Sequence, residues 1–256
     1  MCASLMTYQA SRHPAAVHRR PRLLQEVLAS EPVAPMTTKL ECAKLADGAA
    51  CLVLVPGDSQ HAGDISRAVA VVAGGEGSGP LHPPPDITED CFSAGEAAAA
   101  AYARAGLSPA DIHYWGLYDC FPICLIRAIE AVGLAAEHMG GAYIQQQYER
   151  LLGPLEQQQQ QHTRQQPSLQ QQHGVAAAAW PVNTHGGLLG FGAPWEVPAM
   201  HSLIEAVAQL RGDAAGRQVP GAKRALVYGN GGVFSASAVA ILESCRAELQ
   251  VAASKL

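Results

Sequence analysis

Three short segments gather residue types that can carry acyl or proton transfer. The first, Pro181-Val-Asn-Thr-His-Gly-Gly-Leu-Leu-Gly-Phe-Gly-Ala-Pro194, sets His185 among Gly186, Gly187, Gly190 and Gly192. Glycine lets backbone approach a ligand closely, and turn amides beside a helix start can hold an anion or oxyanion. An imidazole there is a candidate acid/base. The second is Tyr118-Asp119-Cys120-Phe121, directly before a predicted helix. A helix N-terminus lowers a thiol's pKa and favours the reactive thiolate, although Cys120 also reads as a small buried thiol. Asp119 reads as that helix's cap. The third is Tyr228-Gly-Asn-Gly-Gly232, with Gly231 and Gly232 in a turn and Tyr228 a weak acid beside it. Asn183 reads as a side chain that fixes the first loop, and as a substrate contact.

These groups need ordered elements to hold them. The spacing of Leu23, Leu24, Val27 and Leu28 predicts a helix over His13–Ser30, and Pro32 and Pro35 then force an extended loop. The apolar run Ala49–Val55, ended by Pro56-Gly57, predicts a strand buried on both faces. A second strand is expected over Ala68–Ala73, ended by Gly74-Gly75, and a third over Ile112–Leu117. Helices are expected over Asp90–Ala105, stopped by Gly106, and over Phe121–Val132, closed by Gly133. Met200, Leu203, Ile204, Val207 and Leu210 form an apolar stripe at helical spacing. Ala225–Tyr228 and Val233–Leu242 read as strands of a hairpin, since Asn-Gly tolerates positive φ. Gln145–Gln172 holds thirteen glutamines and reads as part of a solvated low-complexity insertion over 145–179. The alternation of helices and strands predicts an α/β fold, a mixed sheet with helices packed on it.

Composition narrows the function. The 256 residues are 48% hydrophobic and 15% charged, as in a globular chain with a sizeable core. A net charge of -5 gives a nucleic-acid role no electrostatic support. No apolar stretch is long enough to span a bilayer, and Met1–His13 does not read as a secretory leader. Seven cysteines suggest a reduced, intracellular protein with free thiols. Cys120 and Cys124 lack a second ligand pair at metal spacing, so no metal is expected. The terminal Ser254-Lys255-Leu256 matches the tripeptide read by the peroxisomal import receptor, which predicts a peroxisomal address.

Four segments together resemble the C-terminal half of a thiolase-superfamily subunit: Asp47-Gly48-Ala49-Ala50, Leu117–Phe121, Pro181–Pro194 and Tyr228–Gly232. The flavour is that of thiolases associated with sterol carrier protein and of acetyl-CoA acetyltransferase-like proteins. Those thiolases carry His-Asp-Cys-Phe where this chain carries Tyr118-Asp119-Cys120-Phe121. The resemblance divides the chain at 1–58 (end of the first thiolase half), 59–144 with 180–246 (C-terminal domain) and 247–256 (tail). It implies an acyltransferase acting on acyl-CoA or 3-ketoacyl-CoA thioesters in lipid metabolism, with coenzyme A entering as substrate and no other cofactor. In such enzymes a cysteine at a helix start in the first half is acylated. A histidine of a Gly-His-Pro loop assists it, and a second acid/base moves the α-carbon proton.

Carried over by position, Cys120 takes the place of that acid/base, and Gly231 and Gly232 that of the turn facing the thioester. Asn183, Gly186 and Gly187 fall on the substrate-binding loop. Ala193 stands where the family has its histidine, leaving His185 as the imidazole on the same loop. The nucleophile-bearing half is not recognised, so an incomplete chain, a homo-oligomer or a thiolase partner is expected. The alternative is a degenerate, non-catalytic module that binds acyl-CoA or lipid, or pairs with a complete thiolase.

Overall fold

The computed structural model describes residues 1–57, 67–80, 92–164, 180–232 and 235–245. Its elements, in chain order, are α1 (Cys2–Ala10), α2 (Leu24–Leu28), β1 (Pro32–Ala34), β2 (Thr37–Thr38), β3 (Val69–Ser78) and α3 (Ala94–Ala105). β4 (Tyr114–Gly116), α4 (Pro122–Ala131), α5 (Gly140–Arg164), α6 (Gly187–Gly190), α7 (Pro198–Arg211), β5 (Arg224–Gly231) and β6 (Ala236–Ser244) follow.

The main sheet has the order β3-β6-β5-β4, antiparallel except for the parallel β4–β5 pair. Side chains alternate across β5, and the sequence Ala225-Leu226-Val227-Tyr228 therefore feeds two cores. Leu226 and Tyr228 pack with α1, α3, α4 and α5, whereas Ala225 and Val227 pack under α7. Both faces of the sheet are covered by helices, as expected for the class.

Glycines set the α3–sheet distance. A methyl on Gly75 would lie 2.1 Å from the Ala97 carbonyl oxygen, and one on Gly77 would lie 2.3 Å from that of Ser93. The glycine run thus belongs inside β3, where the alanine-rich helix lies directly on the strand, and it does not end the strand as expected.

Other elements also depart from expectation. The helix expected over His13–Ser30 is reduced to α2, because Pro14 and Pro21 disfavour helix before and at their own positions. The N-terminal helix is instead α1, buried all round apart from Tyr8 and so without an amphipathic period to signal it. Ala49–Val55 forms no strand and pairs with none among the described residues; Val53 and Leu54 are 85% and 77% exposed.

The glutamine tract is corrected as well. Residues 145–164 continue α5, and Ile144, Tyr148, Leu151 and Leu152 recur at helical spacing in the core. Those four apolar residues sit among exposed glutamines, which dilute the composition without breaking the helix. Residues 165–179, the remainder of the expected insertion, lie outside the described residues, as do Ser254-Lys255-Leu256. On α7 the buried face turns toward Ser202, Glu205, Ala206, Gln209 and Leu210, leaving Ile204 exposed.

Candidate functional site

The first loop extends the sheet beyond β4. Pro181 and Asn183 bracket Trp115, whose N–H donates to the Pro181 carbonyl at 2.8 Å while its own carbonyl accepts from Asn183 N–H at 2.9 Å. Asn183, at φ 44°, then uses its side chain as one more rung. Its Oδ1 accepts from Leu117 N–H and its Nδ2 donates to the Leu117 carbonyl, both at 2.7 Å. Fully buried, Asn183 fixes the loop; its amide is spent on Leu117.

The loop glycines approach protein closely. A methyl on Gly186 (φ 112°) would lie 2.5 Å from Ala10 Cβ, and one on Gly187 (φ 58°) 2.3 Å from the Asp119 carboxylate. Asp119 accepts from the N–H groups of Leu188 (2.8 Å) and Leu189 (3.3 Å), so it caps the short α6 turn, not α4. Burial raises its pKa to about 7 against the pull of those amides. A carboxyl two residues before a helix was a natural cap for it, and only the tertiary fold brings the other helix closer.

Cys120 lies just before the extended cap residue Phe121, and Pro122 opens α4. Its sulfur is 3.3 Å from that of Cys124. The sulfur–sulfur hydrogen bond, and then burial, hold the Cys120 thiol protonated, while the same bond draws Cys124 toward thiolate. Tyr118 and Tyr228 feel these sulfurs, and burial raises each phenol to about 12, leaving both as neutral donors. Ser93 donates to Ser237 (2.8 Å), which donates in turn to the Tyr228 oxygen (3.4 Å).

Tyr228 also floors a cleft of about 260 Å³ between the start of α3 and α4, with Phe92, Gly95, Arg127, Ala128 and Ala131 along its walls. Arg127, Ala128 and Ala131 follow Cys124 by three, four and seven residues, so one face of α4 joins the sulfur pair to the cleft. Gly231 ends β5 opposite Ala236, and Gly232 begins the turn at φ 63°.

His185 occupies a different neighbourhood. Its ring packs on Phe191 with centroids 5.5 Å apart, and the charges acting on it are those of Glu205, His13, His201 and Arg217. Burial lowers its pKa to about 4, so it is neutral at pH 7, and its Nδ1 has no partner among the described residues. Sequence reading treated this imidazole as alone. In the fold, His13 and His201 touch the same Phe191 ring at 4.8 and 5.2 Å. The buried Glu205–Arg217 pair beneath it (2.9 Å) was also missed, although Thr184 and Gln209 bind the same carboxylate.

Ala193 lies close in the chain path to Cys120. Ala43 N–H donates to the Cys120 carbonyl at 3.1 Å, and the next residue's carbonyl, Lys44, accepts from Ala193 N–H at 2.9 Å. Of the four cysteines ahead of Cys120, Cys91 lies outside the described residues, and the other three offer no activated nucleophile. Cys2 begins α1, but burial raises its thiol to about 12 as it turns to the Pro122 carbonyl. Burial also raises Cys42, and Cys51 lies exposed in the irregular 49–55 run. No group of three or more metal-ligating side chains occurs among the described residues, and no helix there is long and apolar enough to cross a membrane.

Comparison with known proteins places this architecture. The thiolase C-terminal domain-like family model matches residues 78–156 and 163–244, and the chain belongs to that family. It is 30% identical to an acetyl-CoA acetyltransferase of Methanothermobacter thermautotrophicus over 91% of this chain and 54% of that one. It is 31% identical to sterol carrier protein 2 of Homo sapiens over 81% of this chain and 34% of that one. The solved Ltp2-ChsH2(DUF35) aldolase shares the fold, with a TM-score of 0.68 at 20% identity over 96% of this chain and 57% of that one. The chain thus spans about a third to a half of the length of these curated relatives. The family match includes residues 145–156, consistent with the packed start of α5.

Proposed function

We propose that this chain supplies the α-carbon half of a thiolase-like acyltransferase acting on acyl-CoA or 3-ketoacyl-CoA thioesters in lipid metabolism. The observation that carries the reading is the placement of Cys120. A half-buried thiol lies beside a second sulfur and neutral phenols, and that second sulfur, Cys124, shares a face of α4 with the Arg127, Ala128 and Ala131 wall of the cleft floored by Tyr228. Cys120 exchanges the substrate's α-proton once its own proton has passed to Cys124, Tyr118 and Tyr228 exclude water and donate, and the Gly231–Gly232 amides face the thioester oxygen. Such donors are each worth about 3 kcal/mol in the transition state. His185 enters only as a neutral imidazole, able to hydrogen-bond the loop side of a substrate through Nδ1. The acylated cysteine comes from a second α/β half, covalently continuous or on a partner subunit; the lack of an activating environment around Cys2, Cys42 and Cys51 supports this among the described residues. Peroxisomal import through Ser254-Lys255-Leu256 and a homo-oligomer or thiolase partner complete the proposal.

The alternative, a module that binds acyl-CoA without turning it over, is favoured by one specific feature, Ala193 in place of an imidazole. Thiolysis of a 3-ketoacyl-CoA by the full-length protein separates the two. Turnover that falls at least about 100-fold in Cys120→Ala supports the enzyme. CoA-ester binding with no turnover supports the module.

A further inference from the structure

The 3.3 Å approach of Cys120 to Cys124 exceeds what acid/base work by one thiol requires. Cys120 precedes the extended cap Phe121, Cys124 is the third residue of α4, and the start of the helix folds one sulfur onto the other. Cys120 is half-buried and Cys124 fully covered, so one sulfur is open to a small reagent with its partner directly behind. Among the other cysteines, Cys2 and Cys42 turn instead to backbone carbonyls. A disulfide needs about 2.05 Å between sulfurs, which small side-chain rotations at a helix end can supply.

We propose that Cys120 and Cys124 form an oxidisable dithiol, which hydrogen peroxide closes into an intramolecular disulfide. One proton leaves the pair, and the remaining proton passes along the sulfur–sulfur contact to Cys124 before the Cys120 sulfur attacks the peroxide. The O–O bond breaks, a Cys120 sulfenic acid forms, and hydroxide departs. The Cys124 sulfur then attacks the sulfenic sulfur; the S–O bond breaks, the S–S bond forms, and the Cys124 proton leaves with the oxygen as water. In sum, two thiols and one peroxide give a disulfide and two waters. Each sulfur loses one electron, and the two peroxide oxygens gain them. The charge of the pair rests on Cys124, so transfer of the Cys120 proton to Cys124 precedes the attack and sets its rate. Closure consumes the Cys120 thiol and ends its acid/base work, a consequence that rests on the role proposed above; the disulfide itself does not.

Peptide mapping tests the inference. Trypsin releases residues 105–127 as one peptide holding both cysteines. After hydrogen peroxide treatment of the reduced chain, that peptide is expected two hydrogen atoms lighter. Five of the seven cysteines stay alkylatable, and dithiothreitol restores the other two. Phenylarsine oxide, which bridges neighbouring thiols, should block closure. In Cys124→Ser, Cys120 should stop at a sulfenic acid that dimedone traps. Oxidation confined to Cys42 or Cys51, or Cys120 driven to sulfinic acid with Cys124 still alkylatable, would overturn the proposal. If the disulfide forms and α-proton exchange persists, the dithiol stands and the acid/base role of Cys120 falls. Loss of both thiols together with exchange, recovered on reduction, supports both.

Discussion

Two buried residues, His185 on the first loop and Asp119 bound to it from the second segment, answer pH in opposite directions. Asp119 has its pKa raised from 3.8 to about 7, so the folded chain holds a proton that the unfolded chain releases. Its contribution is present below pH 3.8 and is lost as pH rises toward 7, about 4 kcal/mol across the window. His185 has its pKa lowered from 6.5 to about 4, so its contribution is present above pH 6.5 and is lost as pH falls toward 4. That term is about 3 kcal/mol of the opposite sign. Urea unfolding between pH 4 and 7 should show Asp119→Asn gaining stability relative to the parent as pH rises, and His185→Phe gaining as pH falls. Parallel profiles for parent and variants would refute the assignment. Sequence placed both residues on or near the site loops. It did not foresee that Asp119 would cap α6, nor that His13 and His201 would join His185 around Phe191, because those contacts cross from distant segments.

The elements were legible where one face is apolar and the other polar, or where a turn residue marks the end. α3, α4 and the β5–β6 hairpin lie close to the predicted spans, Gly106 closes α3 in the left-handed region, and residues 90–91 lie outside the described ones. The α1 helix, buried nearly all round, carries no such signal, and the glutamines of α5 hide its four anchoring apolar residues. If α5 is part of the core, Leu152→Ala should cost 2–5 kcal/mol or so in chemical denaturation, while exposed Gln146→Ala should change little. Equal, small effects would return the segment to the status of an insertion. Gly75→Ala should cost more than about 2 kcal/mol, since the added methyl meets the α3 backbone, whereas Gly141→Ala, with open space around it, should be neutral or stabilising. A well-folded Gly75→Ala of parental stability would contradict the direct α3–β3 contact.

At the scale of the whole molecule, the run Ala49–Val55 stands out as strand sequence without a strand. Exposed apolar residues in such a run favour association. Sedimentation of the purified chain should show concentration-dependent association that weakens when Val53 and Leu54 are both replaced by aspartate. A chain that stays monomeric at every concentration would argue against a second half docking there.

The central claim is that Cys120 moves an α-proton of a CoA thioester, and hydrogen–deuterium exchange tests it without needing an acylated nucleophile. A saturated acyl-CoA incubated with the protein in deuterium oxide is followed by mass spectrometry at the α-carbon. The account predicts exchange above the uncatalysed rate that falls by about 100-fold or more in Cys120→Ser, with acyl-CoA binding retained. Equal exchange in Cys120→Ser, or tight binding with no exchange in the parent, would contradict it.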